Sequence, residues 1–534
     1  RPSAVSSVAA PAATVLAGPP TSVVTPKPGD TPVALAAIAT PTPAEVTASG
    51  ERIEVTTDVL RLAIDTRGGN IVEADLLAYP QQPKDSTHPV RLLDASREHF
   101  FVAQSGLVSA KSVAPDHQAS FVAAKTRYAL ADSENKLEVP LNWDDPVSGL
   151  TVRKVFVLER GSYVVGTRQE INNHGDATWT GNAYRQLQRV PPAFASGGFA
   201  FNNPERYSFV GAAWYSPEDK FQKLKFDKFE KDPLNRPIKD GWAALLQHYF
   251  FAAWIPPAGE TDQYSTATIS DAGAPRYLIR TVGPGLSVGP GAMASSEARL
   301  YIGPKLQSTL GEVAPGLELT ADYGMFTFIA EPLHWVLSKL HALTGNWGFA
   351  IILLVLLIKL AFFKLSEAQY RSMAKMRKLQ PRVQALKERY GDDRQKMNQA
   401  MMELYQKEKI NPLGGCLPMV VQIPVFFALY WVLIESVELR HAPFILWIQN
   451  LTAPDPYFVL PILNGATMIA TQYLTPTTGM DPVQAKMMKI MPVMFAVMFA
   501  FFPAGLVLYW TVNGLASLIQ QWVITKRIEA GEKA

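Results

Sequence analysis

The chain has 534 residues, 48% of them apolar and only 18% charged, with a net charge of +3 and a mean hydropathy of +0.04. The length exceeds one ordinary domain. The composition excludes a collagenous, wholly disordered or disulfide-stapled protein, because the lone cysteine, Cys416, leaves no internal disulfide. The small net charge hides an asymmetry: residues 1–330 carry 30 Lys and Arg against 34 Asp and Glu, and residues 331–534 carry 20 against 13. Two differently built halves are expected.

Residues 1–50 hold nine prolines, twelve alanines and few large apolar side chains. Such a stretch cannot bury enough surface to offset its ordering entropy, which predicts a disordered linker. The sequence does not start with Met and shows neither the basic start nor the apolar core of a signal peptide, so a removed upstream signal-anchor segment is expected. Residues 51–322 read as β-structure. Ile53/Val55 and Leu60/Leu62/Ile64 alternate ahead of a Gly68-Gly69-Asn70 turn, and further strands are expected over 151–158, 163–171 and 276–282. Turns are predicted at 173–176, 283–285 and 289–291, and many short strands in one run predict a large antiparallel sandwich. Residues 323–344 follow as an interfacial amphipathic helix. Leu333, Val336, Leu337, Leu340 and Leu343 share one face, and Trp335 suits a membrane interface.

Residues 345–534 predict a membrane core. A spanning helix needs roughly 20 mostly apolar residues. Five stretches approach that, at about 345–363, 417–434, 457–474, 487–502 and 506–525, the last two joined by a tight Phe502-Pro503-Ala504-Gly505 turn. Residues 364–416, 475–489 and 524–534 then share one side and carry 17 Lys and Arg, whereas the opposite connections carry only Arg440. The positive-inside rule puts the first group, with the C-terminus, in the cytoplasm and residues 51–322 in the periplasm. Residues 365–411 predict an antiparallel helical hairpin. Met373, Met376, Leu379, Val383, Leu386 and Tyr390 step at helical spacing, Met397, Met401 and Leu404 continue the seam, and Pro381 should kink the first arm. Two readings stand for it: a solvated hairpin whose charges only fix topology, or a docking arm. As an arm it would use adaptable methionines and basic side chains, Arg377, Lys378 and Arg389 among them, on RNA-bearing or acidic partners and anionic lipid.

No GxxxxGK[ST] loop, HExxH, paired CxxC or GxSxG occurs, and the eight histidines lack metal-ligand spacing, so no nucleotide, metal or catalytic site is expected. Lys359 interrupts the first span. At the centre of a bilayer a lysine costs on the order of 2.5–3.5 kcal/mol and usually faces a cavity or partner. Close to the cytoplasmic end of its run, it can equally snorkel to the headgroups. Gln422, Asn464, Thr467, Thr471, Gln472, Thr511 and Asn513 bring neutral polar groups into other spans. Singly each reads as glue between helices. Together with Lys359 they would line a hydrated groove, with Tyr509 and Trp510 offering an aromatic face to a passing helix.

Gly345-Asn346-Trp347-Gly348-Phe349, Ala368-Gln369-Tyr370, Ser372-Met373-Ala374-Lys375-Met376-Arg377, Asn411-Pro412-Leu413-Gly414-Gly415-Cys416 and Phe502-Pro503-Ala504-Gly505-Leu506-Val507-Leu508-Tyr509 resemble the YidC/Oxa family of membrane-protein insertases. Thr57-Asp58-Val59-Leu60, Thr66-Arg67-Gly68-Gly69 and Gln104-Ser105-Gly106-Leu107 resemble the periplasmic domain of its Gram-negative type, so the likeness covers nearly everything after residue 50. The resemblance implies a multidomain inner-membrane protein: a periplasmic antiparallel β-supersandwich ahead of an α-helical five-span core with a cytoplasmic hairpin. It implies no enzyme. The family passes hydrophobic segments of nascent membrane proteins into the bilayer, alone or beside the Sec translocon (SecYEG, SecDF), without hydrolysing nucleotide. By the same resemblance Lys359 is the groove cation, Val355, Met419, Val425, Tyr509 and Trp510 contact substrate, and the hairpin meets the ribosome and the signal recognition particle receptor. Membrane lipid is a further implied partner; DNA, cofactors and metals are not. The sequence departs from the family in two places. Lys359 stands where most Gram-negative members carry Arg, keeping the charge but losing the planar fork, and Trp510 stands where Tyr is often found. Only Lys526, Arg527 and Lys533 are basic after residue 523, so ribosome contact must lean on the hairpin and on 475–489. The alternatives are a small-solute transporter, which would want paired charges along a path, and a periplasmic carbohydrate-binding domain merely anchored by the spans.

Overall fold

The computed structural model describes residues 50–85, 87–192, 208–269, 274–391, 393–408, 417–474 and 482–531. All but the last residue of the expected linker over 1–50, Cys416 and residues 475–481 of the 475–489 connection lie outside the described residues.

Residues 52–304 build two sheets around a shared core. The first runs in the order Asn235–Lys239, Thr261–Ile269, Arg276–Val288, Trp179–Arg189, Phe101–Val108, Asn70–Pro80, Leu60–Asp65, Arg52–Thr56, Arg127–Ala129, with Pro89–Leu93 beside Asn70–Pro80. The second runs Lys220–Leu224, Gly211–Ser216, Trp242–Leu246, Phe250–Ile255, Met293–Pro304, Val164–Asn173, Leu150–Glu159, Lys136–Asp145, Val122–Ala123. Pairing is antiparallel except between Arg52–Thr56 and Arg127–Ala129. Alternation decides which side chains face inward: Ile53 and Val55 are buried while Arg52 and Glu54 are exposed. Trp242–Leu246 and Phe250–Ile255 are apolar throughout and buried on both faces. Their outer face is covered by a short helix, α1 (Gln307–Val313), and by Leu317, so no alternation is required there. Gly68 takes φ +77° in the expected turn, and a Cβ there would collide with the His117 carbonyl. One expected turn is absent. Residues 283–285 lie inside the strand Arg276–Val288, which absorbs its glycines and proline in a bulge opposite Asn182 and Tyr184.

The helical half comprises α2 (Thr327–Thr344), α3 (Trp347–Ala361), α4 (Phe363–Lys378), α5 (Gln380–Tyr390), α6 (Arg394–Lys407), α7 (Leu417–Glu435), α8 (Val459–Leu474), α9 (Pro482–Phe499) and α10 (Ala504–Gly531). The α2–α3 corner explains one motif. Gly345 ends α2 at φ +65°, the left-handed conformation that glycine adopts without strain. Asn346 then caps α3, its side-chain oxygen accepting from the Gly348 and Phe349 amides while its Nδ2 donates to the Phe444 carbonyl at 2.9 Å. Leu337 is buried on α2 as its apolar face requires, whereas Trp335 is 63% exposed and Leu343 is exposed as well.

No single helix among the described residues is long and apolar enough to cross a membrane; α3 together with Phe363–Ser372 passes as a pair bent by 65°. One expectation for these helices changes, that of a single kinked hairpin arm: the first arm is two helices. The chain breaks at Leu379, and Pro381 sits in the first turn of α5, where its missing N–H costs nothing. Leu379 and Val383 pack with Met401, Leu404 and Tyr405 of α6, and Arg382 reaches Glu408 at 2.7 Å.

The two halves meet at the end of α7 and the loop after it. Ser208 Oγ donates to Glu435 Oε1 at 2.7 Å, His248 Nε2 lies 3.0 Å from the Ile434 carbonyl, and Arg440 Nη1 donates to the Pro80 carbonyl at 2.8 Å.

Candidate functional site: a polar seam between apolar helices

Lys359 lies near the C-terminal end of α3, half-buried, and its ammonium turns toward α10. Nζ donates to Ser517 Oγ at 2.8 Å, and Ser517 Oγ donates to the Asn513 carbonyl at 2.8 Å. Gln422 of α7 donates to Asn513 Oδ1 at 3.1 Å. Tyr370 of α4 donates its hydroxyl to the Ser517 carbonyl at 3.3 Å, and Gln520 donates to the Lys359 carbonyl at 3.4 Å. One α10 face therefore gathers polar groups from α3, α4 and α7. Asn513 and Ser517 are four residues apart, which stacks them on that face.

A second polar group is separate from this one. Asn464, Thr467 and Thr511 are buried between α8 and α10, where Thr511 Oγ1 donates to the Val507 and Leu460 carbonyls. Thr467 and Thr471 donate to the Asn464 and Thr467 carbonyls of their own helix at 2.8 Å. A Cβ at Gly514 would press on Thr467, so glycine lets the two helices approach. These side chains act as helix glue; only Gln422 and Asn513 of the expected polar set join Lys359. The buried Gln472 Nε2 has no hydrogen-bond partner among the described residues.

The expected contact residues divide similarly. Val355 (1% exposed) and Tyr509 (2% exposed) belong to the core formed with Leu354, Leu429 and Val507, so neither presents an open face. Their helix positions point inward because α3 packs directly on α10 and on α2, and α10 also meets α7. Val425 and Trp510 are half-buried, and Trp510 packs at a tilt into an aromatic cluster with its ring centroid 4.7 Å from Phe426 and 5.5 Å from Phe499. The side chains of Met419, Met373, Met376, Arg377 and Lys378 lie outside the described residues. Arg389 is exposed with its guanidinium 5.5 Å from the Tyr390 ring, Met397 is half-buried, and Met401 joins the α5–α6 seam. Ser517 is the site residue the sequence did not disclose: a serine inside a helix carries little signal, and only its four-residue offset from Asn513 could have marked it.

Residues 52–336 match the family described as the YidC periplasmic domain, and residues 339–532 match the 60Kd inner membrane protein family. A membrane protein insertase YidC from Xanthomonas campestris pv. campestris (strain 8004) is 50% identical over 534 residues, covering 98% of this chain and 90% of the relative. One from Thioalkalivibrio sulfidiphilus is 48% identical over 517 residues, covering 95% and 91%. The solved structure of an active YidC insertase with its first transmembrane domain resolved aligns with 89% of this chain and 92% of its own, at 18% identity and a TM-score of 0.38. The chain belongs to the YidC family of bacterial inner-membrane protein insertases, with the β-rich periplasmic domain of that family ahead of its helical region.

Proposed function

We propose that the chain moves hydrophobic segments of nascent proteins from the cytoplasm sideways into the bilayer along the seam that Lys359 shares with α10 and α7. The arrangement that carries this reading is a cation on an apolar helix, bonded to a hydroxyl on another and flanked by two amide side chains. Such a group holds water at membrane depth and shortens the distance a polar segment must cross through hydrocarbon. Leu356, Leu357, Leu360, Ile423, Phe427 and Ile519 are exposed on the surrounding helices, and so many large apolar side chains left uncovered suit lipid rather than water. Five spans are read from the apolar stretches, and the distribution of basic residues then puts α4–α6 in the cytoplasm and the β-domain in the periplasm. Burial of the segment's apolar area, at about 25 cal/mol per Å², drives its exit into lipid, and no nucleotide chemistry is required of this chain. Its partners on this reading are nascent membrane proteins, lipid and the Sec translocon, with the ribosome and the signal recognition particle receptor met through the basic α4–α6 hairpin. Lys359→Ala should impair insertion of single- and double-span substrates in a depletion–complementation strain, and Lys359→Arg should restore it. Full insertion by the alanine variant would refute the role of the charge.

A further inference from the structure

Where the β-domain meets the helices, a cavity of about 360 Å³ is lined by Ser208, Lys223, Lys225, Lys305, Trp431 and Glu435, among others. Lys305 follows the strand Met293–Pro304 and is only 2% exposed, yet among the described residues its ammonium meets no acceptor at hydrogen-bond distance. Buried lysines are rare, and this one lines a cavity without meeting a protein acceptor among the described residues, which suits an anionic ligand. Burial lowers its pKa, opposed by the charges of Glu435 and Asp322. The neighbouring charges are partly spoken for. Lys223 pairs with Asp322 and lies over the Phe209 ring, and Glu435 accepts from Ser208. That leaves Lys305 and the exposed Lys225 for an anion, with the Glu435 carboxylate on the same wall for a cation. Trp431 and Glu435 belong to the last turns of α7, so the cavity sits where that apolar helix ends. A tryptophan there is at the depth of lipid headgroups.

We infer that this cavity holds the headgroup of a phospholipid from the periplasmic leaflet, Lys305 and Lys225 binding its phosphodiester and Glu435 its amine. Basic pockets at the ends of membrane helices recognise lipid phosphates in this way. The inference rests on the helices spanning a bilayer as proposed above, and liposome flotation of the full chain tests that premise separately. The direct test is native mass spectrometry of the full chain in detergent with added phosphatidylethanolamine, phosphatidylglycerol or inorganic phosphate. The wild type should retain phosphatidylethanolamine preferentially. Lys305→Met and Lys225→Gln should each lower retention about tenfold, the equivalent of one charge-assisted bond. Glu435→Gln should erase the preference over phosphatidylglycerol. Lys225 is at the surface, so its variant carries the test if Lys305→Met does not fold. Equal retention by the wild type and the lysine variants would overturn the inference, as would binding of inorganic phosphate without lipid.

Discussion

Lys359 Nζ and Ser517 Oγ, 158 residues apart in sequence, meet at 2.8 Å and tie α3 to α10. An ammonium has three donors, and this bond uses one. The remaining donors are available to water or to an incoming chain, while Ser517 fixes where the charge points. Snorkelling to the headgroups would have left the lysine free of α10.

Ser517→Ala should keep the charge and lose its anchor. Insertion rates in inverted membrane vesicles should fall about two- to tenfold, the range of one ordinary hydrogen bond, and less than for Lys359→Ala. If the serine variant inserts as fast as wild type, Ser517 does not position the cation.

Gly348→Ala should destabilise the start of α3. A Cβ at Gly348 would overlap the Phe444 ring, and the same loop holds the Asn346 cap through the Phe444 carbonyl. A cost of about 1–3 kcal/mol is expected for such overpacking. Adding Phe444→Leu should recover part of it, because neighbours that share the clash do not add. Thermal unfolding of both variants in detergent decides the point, and a strictly additive pair would show that the ring is not the obstacle.

Several elements were legible because one physical rule governed each. Alternation fixed strands such as Leu150–Glu159 and Val164–Asn173, and apolar length placed α7 and α8. The lysine stood out by its cost in hydrocarbon. What escaped depended on partners distant in sequence. Residues 283–285 read as a turn, yet neighbouring strands hold them extended with one bulge. Val355 and Tyr509 read as open faces until α3 and α10 close on each other. Thr467 and Thr511 sit on apolar helices like Asn513 does, and only helix rotation separates the glue from the seam around Lys359.

Glu438 should make the junction between the halves sensitive to pH. Burial raises its carboxyl from 4.5 to about 7, with His334 Nε2 at 3.9 Å and Tyr79, Tyr301 and Tyr323 within electrostatic reach. The folded state holds this proton up to about pH 7, while the unfolded chain releases it near 4.5. Stability from this group is therefore full below about pH 4.5 and is lost as pH rises through 7, by at most about 3 kcal/mol. His334 works in the opposite sense, since burial lowers its ring from 6.5 to about 4 and its penalty fades as pH rises through 6.5. The readout is thus a comparison: between pH 5 and 8 the thermal midpoint of wild type should fall relative to that of Glu438→Gln. Parallel pH curves for the two proteins would rule the carboxyl out.

Arg440 is the lone basic residue on the connections assigned to the periplasm, an exception to the charge asymmetry on which the proposed topology rests. Its surroundings account for it. Nη1 donates to the Pro80 carbonyl at 2.8 Å, Nη2 donates to the Gln81 carbonyl at 3.4 Å, and the guanidinium stands 5.6 Å from the Phe250 ring. The charge thus serves the contact between the β-domain and the loop after α7, and it needs the planar fork to reach two carbonyls and a ring at once. Arg440→Ala should weaken that contact by about 1.5–3 kcal/mol, the range for hydrogen bonds to a charged group. Amide hydrogen exchange should accelerate at 79–82 and 435–441, while protection around Lys359 and Ser517 stays unchanged. Arg440→Lys should fall between the two, keeping the charge but not both bonds. Faster exchange throughout α3 and α10 in the alanine variant would instead mean that the β-domain braces the whole helical core, and unchanged exchange at 79–82 would mean that the arginine clamps nothing.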